Sequence, residues 1–195
     1  MPSPLGHALG GIAAAWAIDL VPGRRPGPPA APDTRVYDRL GGGLTLICAG
    51  LGAIADADLI FSAHRTASHS IAAAVLVTIV AAVVTGRVTR RGLPVHRVAM
   101  MCGAAYATHL LLDWLAVDRN PPCGIQLWWP LSREWFISGL DFFPPTQRYR
   151  LWSAAAMKMN LNAFAWETAI LLPIVMVLWV TRRRLVTRRP LRGRS

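Results

Sequence analysis

The chain has 195 residues, of which 53% are hydrophobic and only 16% charged, and its net charge is +11; the mean hydropathy is +0.36. A soluble domain carries about 25% charged residues, so the composition excludes a disordered chain and argues against an ordinary soluble fold. A soluble nucleic-acid binder would spread its basic excess over a water-exposed face. Here the arginines are bunched between long apolar runs, the layout of an all-α polytopic membrane protein.

Five apolar stretches follow one another along the chain: Leu5 to Val21, Leu40 to Ile60, Ser70 to Gly86, Val98 to Val117 and Leu161 to Thr181. A bilayer-spanning helix needs about 20 residues, and several of these reach that length only with their polar ends. The alternative is a soluble bundle of buried helices. Arginine placement favours the membrane. Arg24, Arg25, Arg35 and Arg39 lie between stretches one and two, and Arg87, Arg90, Arg91 and Arg97 between three and four. Arg182, Arg183, Arg184, Arg188, Arg189, Arg192 and Arg194 follow stretch five. With five crossings all three clusters fall on one side, which the positive-inside rule makes cytoplasmic. The N-terminus is then outside and the C-terminus inside. Residues 1–181 form one membrane-embedded domain and residues 182–195 a basic cytoplasmic tail.

Residues 21–35, with Pro22, Gly23, Pro26, Gly27, Pro28, Pro29 and Pro32, read as a cytoplasmic linker. The 118–160 connection falls outside. Its rings, among them Trp128, Trp129, Trp135, Phe142, Phe143 and Trp152, favour the headgroup layer, and its prolines oppose a continuous helix. The start, Met1 to His7, has no basic region and does not read as a cleaved signal peptide. Cys48, Cys102 and Cys123 have no metal-binding spacing, and the first two read as inert buried thiols.

Ionisable side chains inside apolar stretches are expensive and mark functional candidates. They are His7, Asp56, Asp58, His64, His69, His109, Asp113 and Glu167, and the arginine-derived orientation puts all eight toward the outer side. His109 and Asp113 are i and i+4 on one helix face; they can ligate one ion, or the Asp can orient the His, or they can simply pair between packed helices. Asp56 and Asp58 repel unless a proton or cation relieves them. His64 falls in a loop and His69 in the first turn of the third helix, with Ser68 as its N-cap. Arg65 suits an anion clamp. Glu167 is a further ligand, a general base, or a partner for Arg148, Arg150 or Lys158. His96 lies beside Arg97 in the basic loop and is set aside. A nitrogen and oxygen donor set without sulfur suits Zn²⁺ best, then Mn²⁺ or Fe²⁺. No HExxH, GxSxG or Walker A motif is present.

Four groups of residues together resemble a family of small inner-membrane metal-dependent hydrolases, also described as LexA-binding. They are Pro4-Leu5-Gly6-His7-Ala8-Leu9-Gly10, Asp56-x-Asp58, His64-Arg65-Thr66-x-Ser68-His69-Ser70, and His109-Leu110-Leu111-Leu112-Asp113-Trp114 followed by Gly124 and Leu127-Trp128-Trp129-Pro130. They stand in family order over residues 1–130, with Ala55 where the family reads Pro. The resemblance implies an all-α bacterial-type inner-membrane protein whose histidines and aspartates gather around metal. The pattern is also similar, more distantly, to zinc-dependent phospholipase C and P1-type nucleases.

The leading expectation is a membrane-bound metal-dependent hydrolase acting at the outer face on a phosphoester or ester of a lipid-like substrate. His7, Asp56, His64, His69, His109 and Asp113 would hold a divalent metal, zinc first. Asp58 and Glu167 would be further ligands or the base, and Arg65 would hold the anionic head. Its partners would be membrane lipids, with no nucleic acid. The alternatives are a metal-stabilised adaptor of the LexA-binding kind, contacting its partner through the basic tail, and a metal or proton transporter. The transporter needs polar groups through the cytoplasmic halves of the helices, where stretch three offers only Thr78 and Thr85.

Overall fold

A computed structural model describes residues 1–22, 42–61, 64–88 and 94–187. Among these residues there are five α-helices and no strands: α1 (Pro4–Leu20), α2 (Gly42–Ala53), α3 (Ile71–Val88), α4 (Val95–Leu115) and α5 (Ala154–Thr187). A 3-10 segment, Ile54–Phe61, continues α2, and a 3-10 turn, Ala67–His69, precedes α3. The chain is all-α, as the composition predicts. Among the described residues, three segments are long and apolar enough to cross a membrane: Gly42–Leu59, Val95–Leu115 and Ala154–Arg184; Ile71–Arg87 is apolar but shorter.

The helix boundaries have local causes. The Ser3 hydroxyl accepts the Gly6 N–H at 3.1 Å, and Pro4 supplies a preset φ in the first turn of α1. Ser70, not Ser68, caps α3, its Oγ accepting the Ala73 N–H at 3.1 Å. The Ser68 hydroxyl is instead turned onto the Asp58 carboxylate. The Ser153 hydroxyl accepts the Ala156 N–H at 3.2 Å. Helix α5 therefore starts seven residues before Leu161, because Ala154 to Asn160 contain neither Pro nor Gly behind that cap.

Helix α1 is central, packing on α2, α4 and α5, while α3 packs on α4. The approach of α1 to α2 is backbone to backbone. A Cβ on Gly52 would lie 2.3 Å from the His7 carbonyl oxygen, and one on Gly11 would lie 2.5 Å from that of Cys48. Only glycine permits this contact, the usual device of membrane helix pairs. Ala15, Cys48, Val98, Met101, Cys102 and Ala105 form the buried centre. The outward side of α3, with Val75, Leu76, Ile79, Val80, Val83 and Val84, is exposed and wholly apolar, a surface suited to lipid.

At one end of the bundle α1 finishes on a buried charge network. Arg97 donates to the carbonyls of Ile18 (3.3 Å), Asp19 (2.9 Å) and Val21 (2.7 Å), closing the helix C-terminus. The Asp19 carboxylate receives Arg182 Nε at 2.6 Å and lies 3.7 Å from Arg97 Nη1. Two of the arginines used above for orientation are thus structural contacts as well. Asp19 stands inside the first apolar stretch and satisfies the same criterion as Asp113, yet the sequence reading passes over it. The linker between α1 and α2 and the chain beyond Thr187 lie outside the described residues, although α5 carries Arg182 to Arg184 within the helix.

At the opposite end, residues 116–153 are non-helical and fold across the helix ends. Isolated bridges pair Ala116 with Phe143 and Ile125 with Phe136. The Leu127 carbonyl accepts the Ile71 N–H at 2.9 Å, and the Arg65 carbonyl accepts the Gln126 N–H at 3.0 Å. Ile125 and Phe143 are buried beneath this cap, whereas Trp152 and Tyr149 are largely exposed. The predicted aromatic connection therefore ends at Ser153, and its last seven predicted residues are helix.

Candidate metal centre

The capped end collects side chains from four different segments. His7 comes from the second turn of α1, Asp56 and Asp58 from the 3-10 segment after α2, and His64 and His69 from the connection into α3. His109 and Asp113 come from the last turns of α4. His7, His69 and His109 are fully buried and Asp113 is 3% exposed. Asp56, with 13% of its side chain exposed, is the most open of these five.

Hydrogen bonds to the rims of the imidazoles fix which ring atom faces inward. His109 Nδ1 lies 2.8 Å from the Gly52 carbonyl oxygen. A carbonyl only accepts, so Nδ1 carries the proton and Nε2 presents a lone pair. His69 Nδ1 lies 3.1 Å from Asp58 Oδ2, which fixes the same tautomer. In these neutral tautomers the two Nε2 atoms face each other at 3.0 Å, two lone pairs that need a proton or a cation between them. Asp113 Oδ2 lies 3.2 Å from His69 Nε2 and 3.4 Å from His109 Nε2, and Asp56 Oδ1 lies 3.7 Å from each.

Asp56, His69, His109 and Asp113 each direct one donor atom into a space where all four lie within 4.8 Å of one another. A tetrahedral ion with bonds of about 2.0–2.1 Å separates its ligands by about 3.3 Å along each edge. The five edges given above run from 3.0 to 3.7 Å. Asp56 Oδ1 and both oxygens of Asp113 are buried without a hydrogen-bond partner among the described residues. Buried polar atoms without partners are rare and costly, and a divalent cation satisfies this set.

His7 extends the cluster on the other side. Its ring stacks on His109 with centroids 3.8 Å apart, and neither of its nitrogens has a hydrogen-bond partner among the described residues. His7 Nε2 lies 3.4 Å from Asp113 Oδ1 and 4.0 Å from Asp56 Oδ2. These are the carboxylate oxygens turned away from the tetrahedral set, so both aspartates are disposed to bridge.

Burial opposes charge on His69, yet the carboxylates of Asp113, Asp56 and Asp58 outweigh it and push the imidazole up to about 10. The same negative field favours a cation among them.

Three predicted site residues take other places. Asp58 is saturated: it accepts from His64 Nδ1 at 2.6 Å, the Arg65 N–H at 3.2 Å, His69 Nδ1 at 3.1 Å and the Ser68 hydroxyl. It orients two imidazoles, as carboxylates behind ligating histidines do, and with His64 and His69 it makes a second group of donors that could hold a metal ion. Glu167 is buried, but its oxygens accept the Ser3 N–H at 2.8 Å and the Ser3 hydroxyl. The positive end of α1 and the close approach at Gly6 hold it there, away from Arg148, Arg150 and Lys158. Arg65 meets an anion of the chain itself. Its guanidinium pairs with Asp118, which also accepts the Gly124 N–H at 2.7 Å and so shapes the cap.

The arginine at the site is Arg148, from the end of the cap. Its Nη1 lies 2.9 Å from His64 Nε2 and its Nη2 3.5 Å from Asp56 Oδ1. No sequence signal marks it, because 35 positions separate it from Asp113, the nearest site residue along the chain. His64 sits at the mouth of the site, with Nε2 3.9 Å from Asp56 Oδ1.

Residues 1–186 match the family described as YdjM inner membrane protein. The chain belongs to that family. It is thereby a member of an inner-membrane family, and the match runs from the first residue into the last turn of α5. Among curated proteins and solved structures, nothing matches the chain.

Proposed function

We propose that this YdjM-family chain is a membrane-embedded metal-dependent hydrolase acting on a phosphoester. The observation that carries the reading is the convergence of His69 Nε2, His109 Nε2, Asp113 Oδ2 and Asp56 Oδ1 at tetrahedral edge lengths, with no proton donor among them in the neutral tautomers. A divalent ion there, zinc by its donor set, would supply a Lewis acid for water and for the charge on a phosphoryl oxygen. His69 and His109 would hold it, with Asp58 and the Gly52 carbonyl keeping their rings in register. Asp56, the most exposed of the four, faces both the cluster and the open groove; held by His69, His109 and Asp113 alone, the ion would keep the open fourth position of catalytic zinc sites, with Asp56 beside it to take the water's proton. His7 and the outer oxygens of both aspartates supply a second set of donors.

The five-crossing topology belongs to the same proposal. Successive helices alternate in direction, so His7, Asp56, His69 and His109 share one end while Asp19, Arg97 and Arg182 share the other. The positive-inside rule then puts the histidines at the outer face.

Metal analysis of detergent-purified protein beside a His109→Ala/Asp113→Ala variant tests the reading. Stoichiometric zinc in the wild type, absent from a folded variant, is expected. Equal metal in both would overturn it.

A further inference from the structure

A groove of about 510 Å³ opens beside the cluster, bounded by the N-terminal residues, the 3-10 segment after α2, residues 146–151 and the start of α5. Its charged lining residues are Asp56 and Arg148; Ser3, Thr146, Gln147 and Asn160 add neutral polar groups, and Leu59, Leu151 and Phe164 are among its apolar ones. The volume is that of a small-molecule site, and Phe164 belongs to a helix apolar enough to lie in the bilayer.

Among the described residues, the other buried or half-buried arginines have closer oxygen acceptors than this one. Arg65 has Asp118, Arg97 has three carbonyls at the end of α1, and Arg182 has Asp19. Arg148 contacts a ring nitrogen, the Met1 thioether at 3.2 Å and one carboxylate oxygen at 3.5 Å. Imidazole nitrogen and thioether sulfur are poor substitutes for an anion that takes a planar fork of donors two at a time. The side chain is nevertheless held in place. Its neighbour Gln147 is clamped to α5, the Asn160 side chain accepting its N–H at 2.7 Å and donating to its carbonyl at 3.1 Å. A guanidinium fixed at the mouth of a donor cluster, with an apolar trough leading away, fits a ligand with a phosphate at one end and a hydrocarbon chain at the other.

We infer that this groove is the substrate subsite, that Arg148 holds the phosphate of a phosphate-bearing amphiphile, and that Leu59, Leu151 and Phe164 receive its chain. This deepens the hydrolase reading above and rests on it for the reaction, but the binding is separately testable. The test is calorimetric titration of the full-length, zinc-loaded protein in neutral detergent with three probes: monododecyl phosphate, inorganic phosphate and monododecanoylglycerol. Monododecyl phosphate is expected to bind at least about tenfold more tightly than either of the others. Arg148→Gln should reduce that affinity about tenfold with zinc content unchanged, and Arg148→Lys should restore part of it. Leu151→Trp, at a half-exposed position that tolerates bulk, should weaken the dodecyl ligand and leave inorganic phosphate unaffected. Inorganic phosphate binding as tightly as its dodecyl ester, or unchanged affinity in both Arg148→Gln and Leu151→Trp, would overturn the subsite. Monododecyl phosphate that binds in the expected pattern but stays intact supports the subsite and removes the hydrolase. Hydrolysis undiminished in Arg148→Gln does the reverse.

Discussion

Asp113 lies one turn beyond His109 on α4, and on its own that spacing yields a hydrogen-bonded pair. What changes its meaning is that His69 arrives from another segment with its own Nδ1 already on Asp58. The residue-scale predictions follow from these roles. Asp58→Asn keeps the shape but weakens the orientation of His64 and His69, so metal affinity should fall by about 10–100-fold without vanishing, as for other carboxylates behind ligating histidines. Competition with a chromophoric chelator measures it. His7→Ala leaves the tetrahedral set intact and removes one donor from the outer oxygens of Asp56 and Asp113. Elemental analysis should show about half the wild-type metal if two ions bind, and His7 has no place in the centre if the ratio is unchanged. Ligand protonation competes with metal, and His69 is the group whose carboxylate neighbours raise its pKa most clearly. In metal-free protein its protonation favours the folded state below the ordinary imidazole range, and this is lost as pH rises toward 10. Metal retention should run the opposite way, falling as pH drops from 8 to 5. Dialysis followed by metal analysis at each pH checks the sign.

At the scale of elements, the centre depends on how closely α1 approaches α2. Gly52 provides the carbonyl that sets the His109 tautomer, and its Cα hydrogens face the backbone of α1. A methyl group there must push the helices apart, because the nearest atom is backbone rather than a flexible side-chain end. Gly52→Ala should cost about 1–3 kcal/mol or more in stability and should lower metal content, whereas Ala at Gly50, which has open space around it, should do neither. Thermal unfolding in detergent, read beside elemental analysis, separates the two. The far end of α1 is held differently, by burial of Asp19 between Arg97 and Arg182. Removing one partner of a buried pair costs about 3–5 kcal/mol, so Asp19→Asn should lower the unfolding temperature while the metal stays bound at the other end.

For the whole molecule, alternation of helix direction gathers the buried imidazoles and their carboxylates beneath the aromatic cap and sets Asp19 with Arg97 and Arg182 at the opposite end. Cys123, half-buried in the cap, reports which face is which. In the proposed orientation a membrane-impermeant maleimide should label it in spheroplasts, while the buried Cys48 and Cys102 stay protected. Labelling only after lysis would invert the topology and move the proposed chemistry to the cytoplasmic face.

The helical class, the membrane character and the identity of the polar residues out of place in apolar stretches are all legible in the chain. They depend on composition and on the cost of charge in hydrocarbon, which act locally on each stretch. That His109 and Asp113 share a face is legible for the same reason, since helix periodicity alone fixes it. The fates of Glu167, Arg65 and Asp58 are not legible, because a carboxylate or guanidinium is defined by the partner it meets. Those partners, Ser3, Asp118 and the His64–His69 pair, are chosen by packing. Asp19 was within reach of the rule that found Asp113. Arg148 was not, for it approaches Asp56 only when the 116–153 cap folds back over the helix ends. The sequence by itself determined which side chains had to find partners out of water; the tertiary structure decided which partners, because contacts between residues far apart in the chain exist only once the helices and cap have closed.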